Sequence, residues 1–355
     1  EPFQLNLPKT PITDLKVHKG DLVVATSGRS FWILDDVVAL GQYQPSKKGL
    51  QMLNPKEAYN GSWGSPLNGD SSKFTGSDPF EGINPANGVV LYYELPKLKD
   101  STAITLEITD AKGKIIRTIS SEKDPSYKPH NGGGAPPAPI LSKNEGLNRF
   151  VWDMKHPIMP GIPDVYIEAG FSGHKVSPGS YTFTLNVDDQ KVTTTGIIKE
   201  LPTYETKPGQ YEEFDVFMTA AEAELTVMHN MVNQLYAVQK ELTAILKKVT
   251  DPTVKSAGKK LLADMKAWDA EMVQRKSQAY DDVENFPNKF TAEYLFMINQ
   301  TNSGIPRLNK SSIDRKTELD AQWTGLKDRG AQLKNTAIPA YNRTLWDAGI
   351  GAIKL

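Results

Sequence analysis

From Tyr211 onward the apolar residues change step. Tyr211, Phe214, Met218, Ala221, Leu225, Met228, Val232, Leu235, Leu242, Leu246 and Val249 keep alternating steps of three and four, and only Gln239 interrupts the series. Such a stripe lies along one face of an α-helix. It predicts one continuous helix over 211–249 that must bury its seam against a partner. Asp251-Pro252 ends it, and a proline at that place opens a second helix at its first turn. Val254, Leu261, Met265, Trp268 and Met272 give the second helix an apolar face, predicted to pack antiparallel on the first. Pro287 opens a short third helix through Tyr294 and Ile298. After Gly304-Ile305-Pro306 a fourth carries Leu319, Trp323, Leu326 and Leu333, and Pro339 divides off a last one with Leu345 and Trp346. Residues 203–355 therefore read as an antiparallel helical bundle.

Before residue 203 the period is two. Residues 3–7, 12–18, 22–26 and 30–34 alternate or run apolar between turns at Pro8, Lys19-Gly20-Asp21 and Ser27-Gly28-Arg29. Four strands in under 40 residues have the rhythm of one propeller blade. They hold too little apolar surface for a core of their own. Residues 1–41 are thus expected to need another layer of protein. Residues 42–86 hold many Gly, Pro, Ser, Asn and Asp and read as a long irregular linker, pinned by Tyr43, Tyr59, Trp63, Phe74 and Phe80. Strand patterns return at 89–93, 103–109, 115–119, 146–153, 181–187 and 191–198, with a hairpin turn at Asp110-Ala111-Lys112-Gly113. About seven strands over 87–202 are the count of an antiparallel Ig-like or fibronectin-like sandwich.

Composition narrows the classes. The 355 residues carry a net charge of −1, without the surplus of Lys and Arg that a nucleic-acid binder needs. No apolar run approaches the length of a membrane span. The absence of cysteine excludes disulfides and thiolate sites, and favours an exported bacterial protein. The start at Glu1-Pro2-Phe3, already strand-like, reads as a piece of something longer.

Asp21-Leu-Val-Val-Ala-Thr-Ser-Gly-Arg-Ser-Phe-Trp-Ile-Leu-Asp-Asp36 resembles the closing blade of a family of large exported bacterial propeller proteins, related to sortilin-type and BNR-repeat proteins and often labelled glycosyl hydrolases. Leu5-Asn-Leu-Pro, Ile12 to His18, Asn84-Pro-Ala-Asn-Gly88, Gly146 to Asp153 and Pro178-Gly-Ser-Tyr-Thr182 are similar to the same family. The resemblance implies the family's C-terminal third, in an exported protein that is periplasmic, outer-membrane-associated or extracellular in a Gram-negative bacterium. The implied partners are the rest of the propeller, on the same or a separate chain, and an outer-membrane or cell-surface protein assembly. The implied role is non-catalytic: bracing the propeller and presenting a protein- or glycan-binding surface. The alternative is the accessory region of a glycan-active hydrolase whose active site lies in an upstream propeller. The Asp-box pattern Ser-x-Asp-x-Gly-x-Thr-Trp is absent from the chain.

The candidate binding residues are Arg29, Asp35, Asp36 and Trp63. Arg29, on a tight turn, can hold a carboxylate or a sugar, although an ion pair with Asp35 or Asp36 accounts for it more simply. Adjacent carboxylates on a strand face opposite ways, so Asp35 and Asp36 do not converge on one glycosidic bond. Trp63 can stack on a sugar ring. Trp152 reads as core, as does the stripe of Met218, Met228 and Met231. The histidines, His18, His130, His156, His174 and His229, show no metal-ligand spacing, although His130 and His156 could meet across a loop. Gly61-Ser62-Trp63-Gly64-Ser65 is not a nucleophile elbow, and Asn131-Gly132-Gly133-Gly134 lacks the Lys and helix of a phosphate cradle. Asp100-Ser101-Thr102 matches a bacterial O-glycosylation acceptor. No catalytic residue, metal ligand or cofactor is assigned.

Overall fold

The alternation of the N-terminal half becomes strand. In the computed structural model, which describes residues 5, 7–44, 46, 49–69, 82–129 and 134–354, β1 (Ile12–His18), β2 (Asp21–Thr26) and β3 (Phe31–Leu34) form an antiparallel sheet in that order. The strand expected over 3–7 falls largely outside the described residues. A short helix, α1 (Val37–Gln42), follows. The stretch read as irregular contributes two short strands, β4 (Gln51–Met52) and β5 (Ala58–Asn60). They pair by backbone contacts too brief to leave a period in the sequence.

β6 (Val89–Leu95), β7 (Ile104–Asp110), β8 (Ile115–Ser120), β9 (Gly146–Trp152), β10 (Gly179–Val187) and β11 (Gln190–Glu200) complete two further sheets. Their orders are β4-β6-β9 and β5-β11-β10-β7-β8. All pairings are antiparallel except β5 on β11, which is parallel. The β7–β8 turn closes as expected: Gly113 takes φ 80, and the Asp110 carboxylate accepts the N–H groups of Lys112 and Lys114. Inward residues of both sheets share one hydrophobic core. Leu91, Ile104, Ile108, Trp152 and Phe183 are fully buried in it, and the Trp152 ring meets Tyr181 and Phe183 edge-on at 5.4 and 5.7 Å.

The chain divides into two compact units. The first holds the three sheets. The second holds residues 125–137, 157–174 and 206–355. Its frame is α2 (Gln210–Leu246), one continuous helix as the seam requires. Phe214, Met218, Leu225, Met228, Val232, Leu235 and Leu242 are buried along it. After a short turn α3 (Pro252–Met272) begins, with Pro252 at its first position and Asp251 accepting the N–H groups of Thr253 and Val254. Gln239, the polar break in the seam, donates to the Met265 carbonyl on α3 at 3.4 Å. α4 (Asp282–Asn285), α5 (Phe290–Asn302), α6 (Lys310–Gln332) and α7 (Ile338–Asp347) follow. Pro339 does not break the chain: a π-helical turn over Leu333–Ala337 carries α6 into α7 and absorbs the missing N–H.

Two buried histidines tie irregular segments to α2. His174 lies between carboxylates one on each side, with Nδ1 3.0 Å from Glu222 and Nε2 3.0 Å from Asp215, and its backbone N–H donates to Glu222. Burial opposes charge on this ring, but the bonds to Asp215 and Glu222 outweigh it and raise its pKa. His229 donates from Nδ1 to the Pro160 carbonyl at 2.6 Å, and burial pushes its pKa down to about 4. No helix among the described residues is long and apolar enough to cross a membrane.

Candidate functional site

Asp35 and Asp36 follow β3 and precede α1, so the strand delivers them to a turn. Asp36 sits at the helix N-cap with φ 57, in the left-handed region, and its side chain makes no capping bond. Its backbone N–H instead donates to Asp21 Oδ1 at 2.8 Å. Lys56 donates to both Asp21 oxygens at 2.6 Å. This ties the start of β2, the end of β3 and the segment after β4 into one cluster. Partial burial, then the charge of Asp21, raises the pKa of Asp35 against the pull of Lys56. Burial also raises that of Asp36, with Lys56 opposing and Asp21 assisting. Tyr92 shares this field: burial raises its pKa, followed by the Asp36 charge, while Arg149 lowers it. Arg149 reaches the carbonyls of Leu67 and Gly69 at 2.8 and 3.2 Å.

Arg29 is not part of this cluster. It is exposed, and among the described residues its guanidinium makes no ion pair with Asp35 or Asp36. Lys56, distant in sequence, supplies the cation of the cluster, and it pairs with Asp21 rather than with Asp35 or Asp36. The Arg29 carbonyl accepts the Trp32 indole N–H at 2.9 Å, which closes the β2–β3 turn.

Trp63 stands apart from these residues and is half-buried. Its Nε1 donates to the Pro85 carbonyl at 2.8 Å, and its own carbonyl accepts from Asn87. The ring covers Gly61 so closely that a Cβ there would lie 2.5 Å from it. Ser65, Asn68 and Asn84 add bonds across the same two strands of loop. Lys175, which no sequence signal marks, completes this lock by donating to the Gly61 carbonyl and to Asn87 Oδ1. Burial, then the neighbouring Lys155, pushes its pKa down to about 8. Trp63 thus has a structural task, with its polar edge already spent.

The remaining candidates separate in the same way. Trp152, Met218 and Met228 are core. His130 and Asn131-Gly132-Gly133 lie outside the described residues, so a pairing of His130 with His156 does too. Ser101 of the glycosylation pattern is exposed on a turn, where Thr102 N–H donates to the Lys99 carbonyl.

Chemically, the carboxylate cluster can exchange protons and hold a cationic group, and Lys56 already supplies one. The arrangement organises a turn at the end of a sheet. Compared with protein-family models, with curated proteins and with solved structures, the chain matches none.

Proposed function

We propose that this chain is a non-catalytic structural and interaction region of an exported propeller protein of the sortilin-type and BNR-repeat kind. In this reading β1–β3 supply strands of a blade, β4–β11 form an Ig-like sandwich, and the helices form a bracing bundle. One observation carries it. The register places Leu15 and Val17 on one face of the β1–β3 sheet, with Val24 and Trp32, and Phe31 and Ile33 on the other, with Val23 and Ala25. Leu15, Val17, Phe31 and Ile33 are 59, 63, 75 and 64% exposed. A sheet with apolar side chains on both faces is built to lie between two other layers, which is the position of a blade in a propeller. The outer edges of β1 and β3 are also unpaired among the described residues, so strands can add on either side.

The test is hydrogen exchange of the β1–β3 amides, read in the chain alone and in the chain within its native cell-envelope complex. Fast exchange alone and strong protection in the complex are expected. Leu15→Lys combined with Phe31→Lys should release the chain from the complex without lowering its own melting temperature. Equal, fast exchange in both settings would overturn the proposal. So would turnover of an aryl glycoside panel that disappears in Asp35→Asn or Asp36→Asn.

A further inference from the structure

The helical unit carries a groove that none of the residues discussed above explains. It is a cavity of about 490 Å³ along α5 and α6, within the range that takes a small ligand. Phe296 and Gln300 stand one turn apart on α5, and Ser311 and Arg315 one turn apart on α6, so each helix presents a row to the groove. Phe296 is 55% exposed, although a ring of that size on a packed helix ordinarily turns inward. Buried Met297 lies beside it as an apolar floor. Around this strip stand the side chains of Asn288, Gln300, Ser303 and Ser311. Among the described residues, no hydrogen bond is made by the side chains of Asn288, Gln300 or Ser311.

The charges in the groove cancel. Arg315 is held by Glu293 across the two helices and by Glu318 at 2.7 Å. The groove therefore has no spare guanidinium for a phosphate or a uronate, which charge-assisted bidentate bonds would require. It has one lining carboxylate, Glu293, already paired. Glycoside cleavage needs two facing carboxylates.

We infer that this groove binds a neutral oligosaccharide and does not cleave it. A pyranose ring has an apolar C–H face bounded by hydroxyls. The electron-rich face of Phe296 suits the first, and amides and hydroxyls that both donate and accept suit the second. An extended peptide is disfavoured, because peptide grooves supply either a sheet edge for the backbone or several apolar anchor pockets, and this groove has one ring between two helices.

The experiment is a titration of the isotope-labelled full chain, followed by amide spectra, with cellotriose, xylotriose, mannotriose, laminaritriose and maltotriose in turn. At least one should move the amides of 288–315 saturably and remain intact afterwards. Phe296→Ala should weaken it roughly tenfold, the effect of losing about one stacked ring. Its melting temperature should hold, because the ring is exposed. Trp346→Ala, which removes an exposed ring on α7, should leave binding unchanged. The inference is overturned if none of the five sugars moves these amides, if Phe296→Ala binds as tightly as the parent, if the sugar is cleaved, or if a mixed hexapeptide library binds there instead.

Discussion

In β6, β7, β10 and β11 alternate side chains are closed over. Leu91, Ile104, Ile108, Phe183 and Leu185 lie at 2% exposure or less, with Trp152 between the two sheets. In β1–β3 the same alternation leaves Leu15, Val17, Phe31 and Ile33 mostly in solvent, and Val24 is the single buried apolar residue. Period two sets which side chains share a face, but it does not supply the layer that covers that face. In the reading proposed above, the difference separates strands that own their core from strands that borrow one.

The largest expected effect lies on the covered side. Trp152→Ala removes a fully buried ring from contact with Tyr181 and Phe183. It should cost about 3–5 kcal/mol, read as a lower urea midpoint at unchanged slope. A loss below about 1 kcal/mol would show that the two sheets do not share a tightly packed core.

Covered regions have a second mark, a buried titrating group, and two histidines of the helical unit show it with opposite signs. His229 has an ordinary pKa of 6.5 and a folded one of about 4. Above 6.5 it is neutral folded and unfolded alike. As pH falls below 6.5 the unfolded chain takes up a proton that the folded chain refuses, so stability declines until about pH 4. The full difference amounts to about 3 kcal/mol. His229→Phe should flatten this acid limb in denaturation curves taken from pH 7 to pH 4. An unchanged limb would mean that His229 is hydrated. His174, with its pKa raised, contributes stability that is fully present below 6.5 and lost as pH rises through its folded pKa. Asp215→Asn should weaken this limb and leave the acid one in place, so the two groups separate by window.

Much of this architecture was legible because it is written in side-chain period or in local turn chemistry. The seam from Phe214 to Leu246, the Asp251-Pro252 start of α3 and the Asp110–Gly113 turn are of that kind. β4 and β5 were not legible: two or three residues cannot display a period, and β5 meets β11 in a parallel pairing of three residues from 140 positions away. The π-helical turn before Pro339 was hidden for the opposite reason, since a proline in sequence reads as a stop when nothing shows how the backbone absorbs it. At the candidate site, Asp35 and Asp36 were visible, and their setting was not. Asp21, 15 positions before Asp36, and Lys56, 35 positions after Asp21, join them only through folding, and the nearby Arg29 stays in solvent. Lys175 left no trace, because a lysine next to a histidine looks like any other until Gly61 and Asn87 are brought to it.

The smallest expected effect is the sharpest test of the comparison. Leu15→Ala and Phe31→Ala delete side chains of the size that costs several kcal/mol in a core. In the chain alone each should change stability by less than about 0.5 kcal/mol, since exposed positions without special roles rarely exceed that. Even the pair together should stay near 1 kcal/mol, because Leu15 and Phe31 lie on opposite faces and share no partner. A loss of about 2 kcal/mol from either would show that β1–β3 is already covered by this chain, and its contrast with β6–β11 would vanish. If both are silent alone, the same substitutions measured in the proposed assembly decide the matter. An apolar side chain that adds nothing to folding but is buried on assembly must return its hydrophobic contribution there, as affinity for the layer that covers it.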